Sequence, residues 1–221
     1  MPGDCSYIAI TPNAKVAYVS CATPAEVIAI RLTTRTVLKR FFGLGGPIAM
    51  TPNGKTAYVL NMGIPGEVTP IDTASNTVLA PIGVGKTPLA MAVTPDGKTG
   101  YVADDGGYSV TPVDTAANTA LKSIRVGWSP SAIAIAPNGK IAYVSSFNPR
   151  VVTPIRIATN TALKPITFEF GAGPIAFTQD GRTAYVVRRY LGTVTPIRTA
   201  TNTVLKPIHA GFRPFAIVMT P

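Results

Sequence analysis

Short apolar runs alternate with clusters of turn-forming residues along the whole chain, and the same four runs return in the same order. The first, strand A, is apolar at successive positions with alanine between larger residues; it recurs at 7–11, 47–51, 89–94, 132–136, 174–178 and 215–220. A run without alternation predicts a strand covered on both faces. A PNGK or PDGK turn follows, whose Asn-Gly or Asp-Gly pair supplies positive φ. Strand B is the TAYV run, as at 56–60, and strand C is the VTPI run at 27–30, 68–71, 110–113, 152–155 and 194–197. Four copies of strand C carry a proline (Pro70, Pro112, Pro154, Pro196), so a bulge or irregular pairing is expected there. A DTASNT-like hairpin leads to strand D, as at 203–208, and a Gly-rich link returns to the next strand A.

The period is explicit in the turn motif: TPNAKVAYV at 11–19, TPNGKTAYV at 51–59, TPDGKTGYV at 94–102, APNGKIAYV at 136–144 and TQDGRTAYV at 178–186. Its tyrosines Tyr18, Tyr58, Tyr101, Tyr143 and Tyr185 are 40, 43, 42 and 42 residues apart, and Thr220–Pro221 begins a sixth copy. Self-similarity of this length marks a repeat architecture. Four antiparallel strands in each unit predict an all-β chain, a β-propeller of five four-stranded blades with one extra strand A at the C-terminus. The single domain 1–221 divides into blades at about 6–42, 46–84, 88–126, 130–168 and 172–209, with an extra or closing strand at 213–221. That strand has three readings. It displaces 7–11 in blade 1, it belongs to a longer array, or it pairs with another molecule, since an open strand edge invites association.

The TPDGKTAYV-type turn, the VTPIDTATNT-type hairpin and the PIxVGxxPxAIAIT-type return resemble the YVTN family of β-propeller repeats, over about 7–221. The family occurs in surface-layer and secreted proteins of archaea and bacteria, and its usual ring has seven blades where this chain offers five. The resemblance implies an extracellular or cell-surface protein that binds or scaffolds.

Composition agrees with a packed chain: 46% hydrophobic, 14% charged, with 20 glycines and 21 prolines recurring as turn punctuation. No apolar run approaches the ~18 residues of a membrane span, and MPGDCSYIAI has no signal-peptide pattern. The net charge of +10 favours polyanions or serves solubility. Cys5 and Cys21 lie at the far ends of one predicted hairpin, one residue out of register. They are therefore expected as reduced, buried thiols, because a disulfide would need a bulge or a loosened strand end.

Loops that vary over a constant scaffold are where propeller ligands bind. The B–C loops and D–A links vary, and offer Lys86, Asp104, Asp105, Tyr108, Trp128, Phe147, Arg150, Arg188, Arg189, Tyr190 and Arg213. Aromatic and basic groups together suit an acidic sugar or nucleotide-like ligand; the plainer reading is ordinary loop composition, with Trp128 and Phe147 packed between blades. The opposite end carries Lys15, Lys55, Lys98, Lys140 and Arg182, one per A–B turn, joined by Arg31, Arg156 and Arg198. This is either turn chemistry repeated or a docking ring for a polyanion, with salt-sensitive, non-specific affinity for nucleic acid. Only His209 is a histidine, and no nucleophile motif, P-loop or dinucleotide fingerprint appears. No metal or cofactor is expected. A lyase or lactonase working around Asp104, Asp105 and His209 is the alternative to a non-catalytic binding or scaffold protein, and a self-assembling repeat protein is a third.

Overall fold

The computed structural model describes residues 4–169 and 171–219. Their strands form five antiparallel sheets, each a blade of strands A to D in chain order. Blade 1 comprises Cys5–Ile10, Val16–Ala22, Ala25–Arg31 and Thr36–Phe42; blade 2 begins with Ile48–Met50, Thr56–Asn61 and Gly66–Asp72. Blades 3, 4 and 5 begin with Pro88–Val93, Trp128–Ile135 and Ile175–Phe177, followed by their B strands Thr99–Asp104, Ile141–Asn148 and Thr183–Arg188. Their C strands are Ser109–Asp114, Val151–Arg156 and Thr193–Arg198. The chain thus has the fold of a five-bladed β-propeller.

The proline of strand C acts on its neighbour, not on strand C itself. Pro70, Pro112, Pro154 and Pro196 pair in register with Tyr58, Tyr101, Tyr143 and Tyr185 on strand B. On the other side strand D breaks in two opposite each proline, as Thr77–Val78 and Ile82–Val84 in blade 2, because proline has no N–H to give the ladder. Blade 1 has Ala29 at this place, and its strand D runs unbroken from Thr36 to Phe42 with one register shift between Ala29 and Ile30.

Neighbouring blades stack through one repeated set of contacts. In the first junction Tyr18, Val27, Ala29 and Phe41 of blade 1 pack on Ala57, Val59 and Ile71 of blade 2. The next three reuse the set, with Tyr58, Tyr101 and Tyr143 on the trailing side. These four tyrosines are 0–1% exposed. Each hydroxyl reaches into the following blade and donates to the asparagine of its C–D hairpin: Tyr18 to Asn76 and Tyr58 to Asn118 at 2.9 Å, Tyr101 to Asn160, Tyr143 to Asn202. Those asparagines hold φ between 48° and 52° or, at Asn202, 55°, a left-handed conformation that asparagine tolerates. The A–B turns stack too. A Cβ on Gly54 would stand 2.6 Å from Pro12 Cδ; the pairs Pro52–Gly97, Pro95–Gly139 and Pro137–Gly181 stack less tightly, where a Cβ would be in ordinary contact at 3.5–3.7 Å. No comparable packing joins blade 5 to blade 1 among the described residues.

Two expectations change. Cys5 and Cys21 form a disulfide, with Cα atoms 3.8 Å apart. The ladder slips by one residue between Cys5 and Tyr7, which brings the two onto the same side. The same bulge recurs between Pro88 and Ala90 and between Pro130 and Ala132, so it belongs to the repeat. The sixth copy of strand A keeps its sequence over 215–219 but is not paired as a strand; Thr220 and Pro221 lie outside the described residues.

Candidate functional site

Strand B of blade 5 ends at Arg188, and a 3-10 turn, Arg189–Leu191, follows it, closed by Gly192 at φ 64°. The turn lifts Tyr190 into solvent, 71% exposed. Across from it the link after strand D turns back at Gly211 (φ 96°) and Arg213 (φ 49°). The left-handed Arg213 matches Thr87 and Ser129 in the equivalent links, so the repeat geometry places its side chain. Between turn and link lies a cleft of about 390 Å³, lined by Arg189, Tyr190, Leu191, Gly192, His209, Gly211, Phe212 and Arg213. A second hollow of about 270 Å³ shares Arg189 and Tyr190 and adds Phe147, Pro174 and Phe215. Neither lining contains an acidic residue.

Of the residues singled out from sequence, Phe147, Arg189, Tyr190 and Arg213 therefore converge. Tyr108 and Trp128 form a separate pair, with ring centroids 6.5 Å apart and the Arg125 guanidinium 5.8 Å over Tyr108. Trp128 opens strand A of blade 4 and is 41% exposed, so it is not sealed between blades. Phe147, 56% exposed, is not sealed either. Arg150 donates to the Glu169 carbonyl at 2.8 Å and borders another hollow beside Phe147. Lys86 is exposed on the link into blade 3, in neither of the two hollows beside Tyr190.

Arg188 does not belong to the loop face. It is 6% exposed, its guanidinium lies 5.0 Å over the Phe168 ring, and burial lowers its pKa against the opposing pull of Glu169. Asp104 is fully buried: Thr111 and Ser109 donate to its Oδ2, its Oδ1 has no hydrogen-bond partner, and burial raises its pKa despite those bonds. Asp105 accepts from Ser129 Oγ in the next link. Asp104 sits inside blade 3 and His209 on blade 5, so the three groups share no site. Among the described residues no three of His, Cys, Asp and Glu converge as metal ligands. Sequence reading missed Phe212 and Phe215 as cleft residues and treated His209 only as a lone catalytic candidate. Its place next to the varying D–A link was the available clue.

At the other end Lys15, Lys55, Lys98, Lys140 and Arg182 are each in the A–B turn, and a groove of about 420 Å³ between blades 4 and 5 is lined by Lys140, Arg156, Arg182 and Asp180. Asp180 stands 3.8 Å from Arg182, both exposed. The turn carboxylates serve the backbone: Asp96 and Asp180 accept from Thr94 and Thr178 hydroxyls and from the Lys98 and Arg182 N–H groups.

No protein-family model matches the chain, and no curated protein does. Solved structures do. Hydrazine synthase of Kuenenia stuttgartiensis superposes with a TM-score of 0.77 at 24% identity, over 92% of this chain. This chain spans 65% of that one's length. A functionally unknown protein from Desulfotomaculum acetoxidans gives 0.81 at 17% identity, covering 97% of this chain and 72% of its own. At such identities the likeness is one of fold, and it places the chain with β-propellers.

Proposed function

We propose that the protein is a non-catalytic binding propeller of the YVTN type, working outside the cytoplasm or at the cell surface. Its blade 5 cleft holds an anionic group of a glycan chain or of a partner protein. One observation carries the reading: two arginines, a histidine and exposed Tyr190 and Phe212 line one cleft whose lining has no acid. Arginine pairs with carboxylate or phosphate through a planar fork, and the rings offer a stacking face to a sugar. The Cys5–Cys21 disulfide supports an oxidising compartment. Against catalysis stands the fate of the acidic candidates, which the fold spends on its own interior and turns.

The test is titration with acidic polymers: a uronic-acid polysaccharide, a sulfated glycan, a polyphosphate and single-stranded nucleic acid, each at low and at physiological salt. One polymer should bind at physiological salt, and Arg189→Ala or Arg213→Ala should each weaken it about tenfold or more. Neutralising Lys55, Lys98 and Lys140 should leave that binding unchanged. Weak binding to every polymer that vanishes with salt, or loss only with the lysine variant, would overturn the assignment to the cleft.

A further inference from the structure

Each internal junction joins a trailing half, made of Tyr, Val and an apolar residue of strand D, to a leading half of strand B and C residues. Both halves occur once more on the outer blades, without such a partner among the described residues. On blade 5 the trailing half is Tyr185, Val194 and Ile208. Ile208 is 52% exposed where Phe41, Ile82, Ile124 and Ile166 are 4–8% exposed, and Tyr185 is half-buried. On blade 1 the leading half is Ala17, Val19 and Ile30. Val19 and Ile30 are half-buried where Val59, Val102, Val144 and Val186, and Ile71, Val113, Ile155 and Ile197, are wholly buried.

Three positions that every internal junction shares are altered, and they are altered on facing sides. The glycine of the A–B turn is Ala14 on blade 1, holding φ 53°, and the proline it would meet is Gln179 on blade 5. In the first junction a Cβ at this place would collide with the proline ring, and in the other three it would touch the ring at 3.5–3.7 Å; a flexible glutamine opposite removes the ring. The hairpin asparagine is Arg35 on blade 1, also left-handed at φ 56°. It would donate to the Tyr185 hydroxyl where asparagine accepts from the other tyrosines. The changes complement each other across a junction that the chain does not make within itself.

We infer that a second copy of this chain is the occupant: blade 1 of one copy stacks on blade 5 of another, continuing the internal blade-to-blade interface head to tail. The contact is heterologous, the face on one copy differing from the face on its partner. The arriving copy keeps its own strand A, which the Cys5–Cys21 disulfide ties to strand B, so the unpaired 214–219 segment of the first copy yields that place. Both copies carry +10, and the contact is apolar; association therefore strengthens as salt screens the repulsion.

Sedimentation velocity over a range of concentration, at low and physiological salt, tests this with Ile30→Asp and Ile208→Asp, both at solvent-accessible positions; circular dichroism checks that each variant is folded. The wild-type chain should associate reversibly, and either substitution alone should weaken association by at least about thirtyfold. A mixture of the two should recover a 1:1 dimer, because each supplies the half the other has lost. Phe215→Asp should leave association intact. A wild-type chain that stays monomeric, no recovery in the mixture, or loss of association with Phe215→Asp, as pairing through the tail would require, would overturn the inference.

Discussion

Raising the pH should unfold the protein through the junction tyrosines. Burial, the first cause in each case, pushes Tyr18, Tyr58, Tyr101 and Tyr143 from 10 up to about 12, with Asp72, Asp114 and Asp96 adding repulsion at the first three. A folded-state pKa above the unfolded value means that the stabilisation is whole below pH 10 and disappears as pH rises to the folded value. Two pKa units amount to about 2.7 kcal/mol for each phenol. Four together come to about 11 kcal/mol, as much as the entire stability of an ordinary domain. Between pH 10 and 12, phenolate absorbance and loss of β-sheet circular dichroism should therefore advance together. Tyr58→Phe sharpens the test because its two effects have opposite signs. At neutral pH it loses the bond to Asn118 and about 1 kcal/mol. At pH 12 it keeps the roughly 2.3 kcal/mol that the wild-type tyrosine has by then given up, so the two stability curves should cross between about pH 10 and 11. Phenols that ionise near pH 10 while the sheet signal stays intact, or a Tyr58→Phe curve below wild type at every pH, would refute the reasoning.

Asp104→Asn should stabilise the protein at neutral pH. The raised pKa of Asp104 means that stability is fullest in acid, where it is protonated, and falls as pH rises through its folded value, so urea-unfolding curves of variant and wild type should converge at low pH. Reducing Cys5–Cys21, or replacing Cys21 by Ser, opens a loop with a sequence separation of 16 and should cost about 3 kcal/mol, seen as a lower thermal midpoint with reductant than without.

The fold was legible because five copies of one motif repeat every chemical requirement of a blade. The tyrosine could be read from a single copy and checked against four others, and the turn glycine and the strand C proline against three. What escaped was pairwise. The proline's effect on strand D and the strand A bulge that aligns Cys5 with Cys21 are properties of two strands in register, and an apolar run does not announce its extra residue. The site was legible in part. Phe147, Arg189, Tyr190 and Arg213 stood out as variation on one end of a constant frame. Arg188 and Asp104 vary as freely but point inward, because a loop's sequence boundary does not say where strand B stops and solvent begins.

That inward position explains how one frame carries different loop faces. The third residue after the strand B tyrosine is Cys21, Asn61, Asp104, Ser146 or Arg188 in the five blades, a position where the copies differ widely. In blades 3, 4 and 5 a residue of the link from the preceding blade touches it. Gly85 covers Asp104 and leaves no room for a Cβ, a Cβ on Gly127 would stand 2.7 Å from Ser146 Cβ, and Phe168 spreads its ring against the guanidinium of Arg188. A small link residue seals a compact polar group, and an aromatic one matches a long cation through its ring face. In blade 5 this pair lies directly before the Arg189–Leu191 turn. The blade junctions keep their stacking chemistry, while in blades 3 to 5 this buried contact changes from copy to copy. Diversity at the loop end therefore need not weaken the stack that holds it.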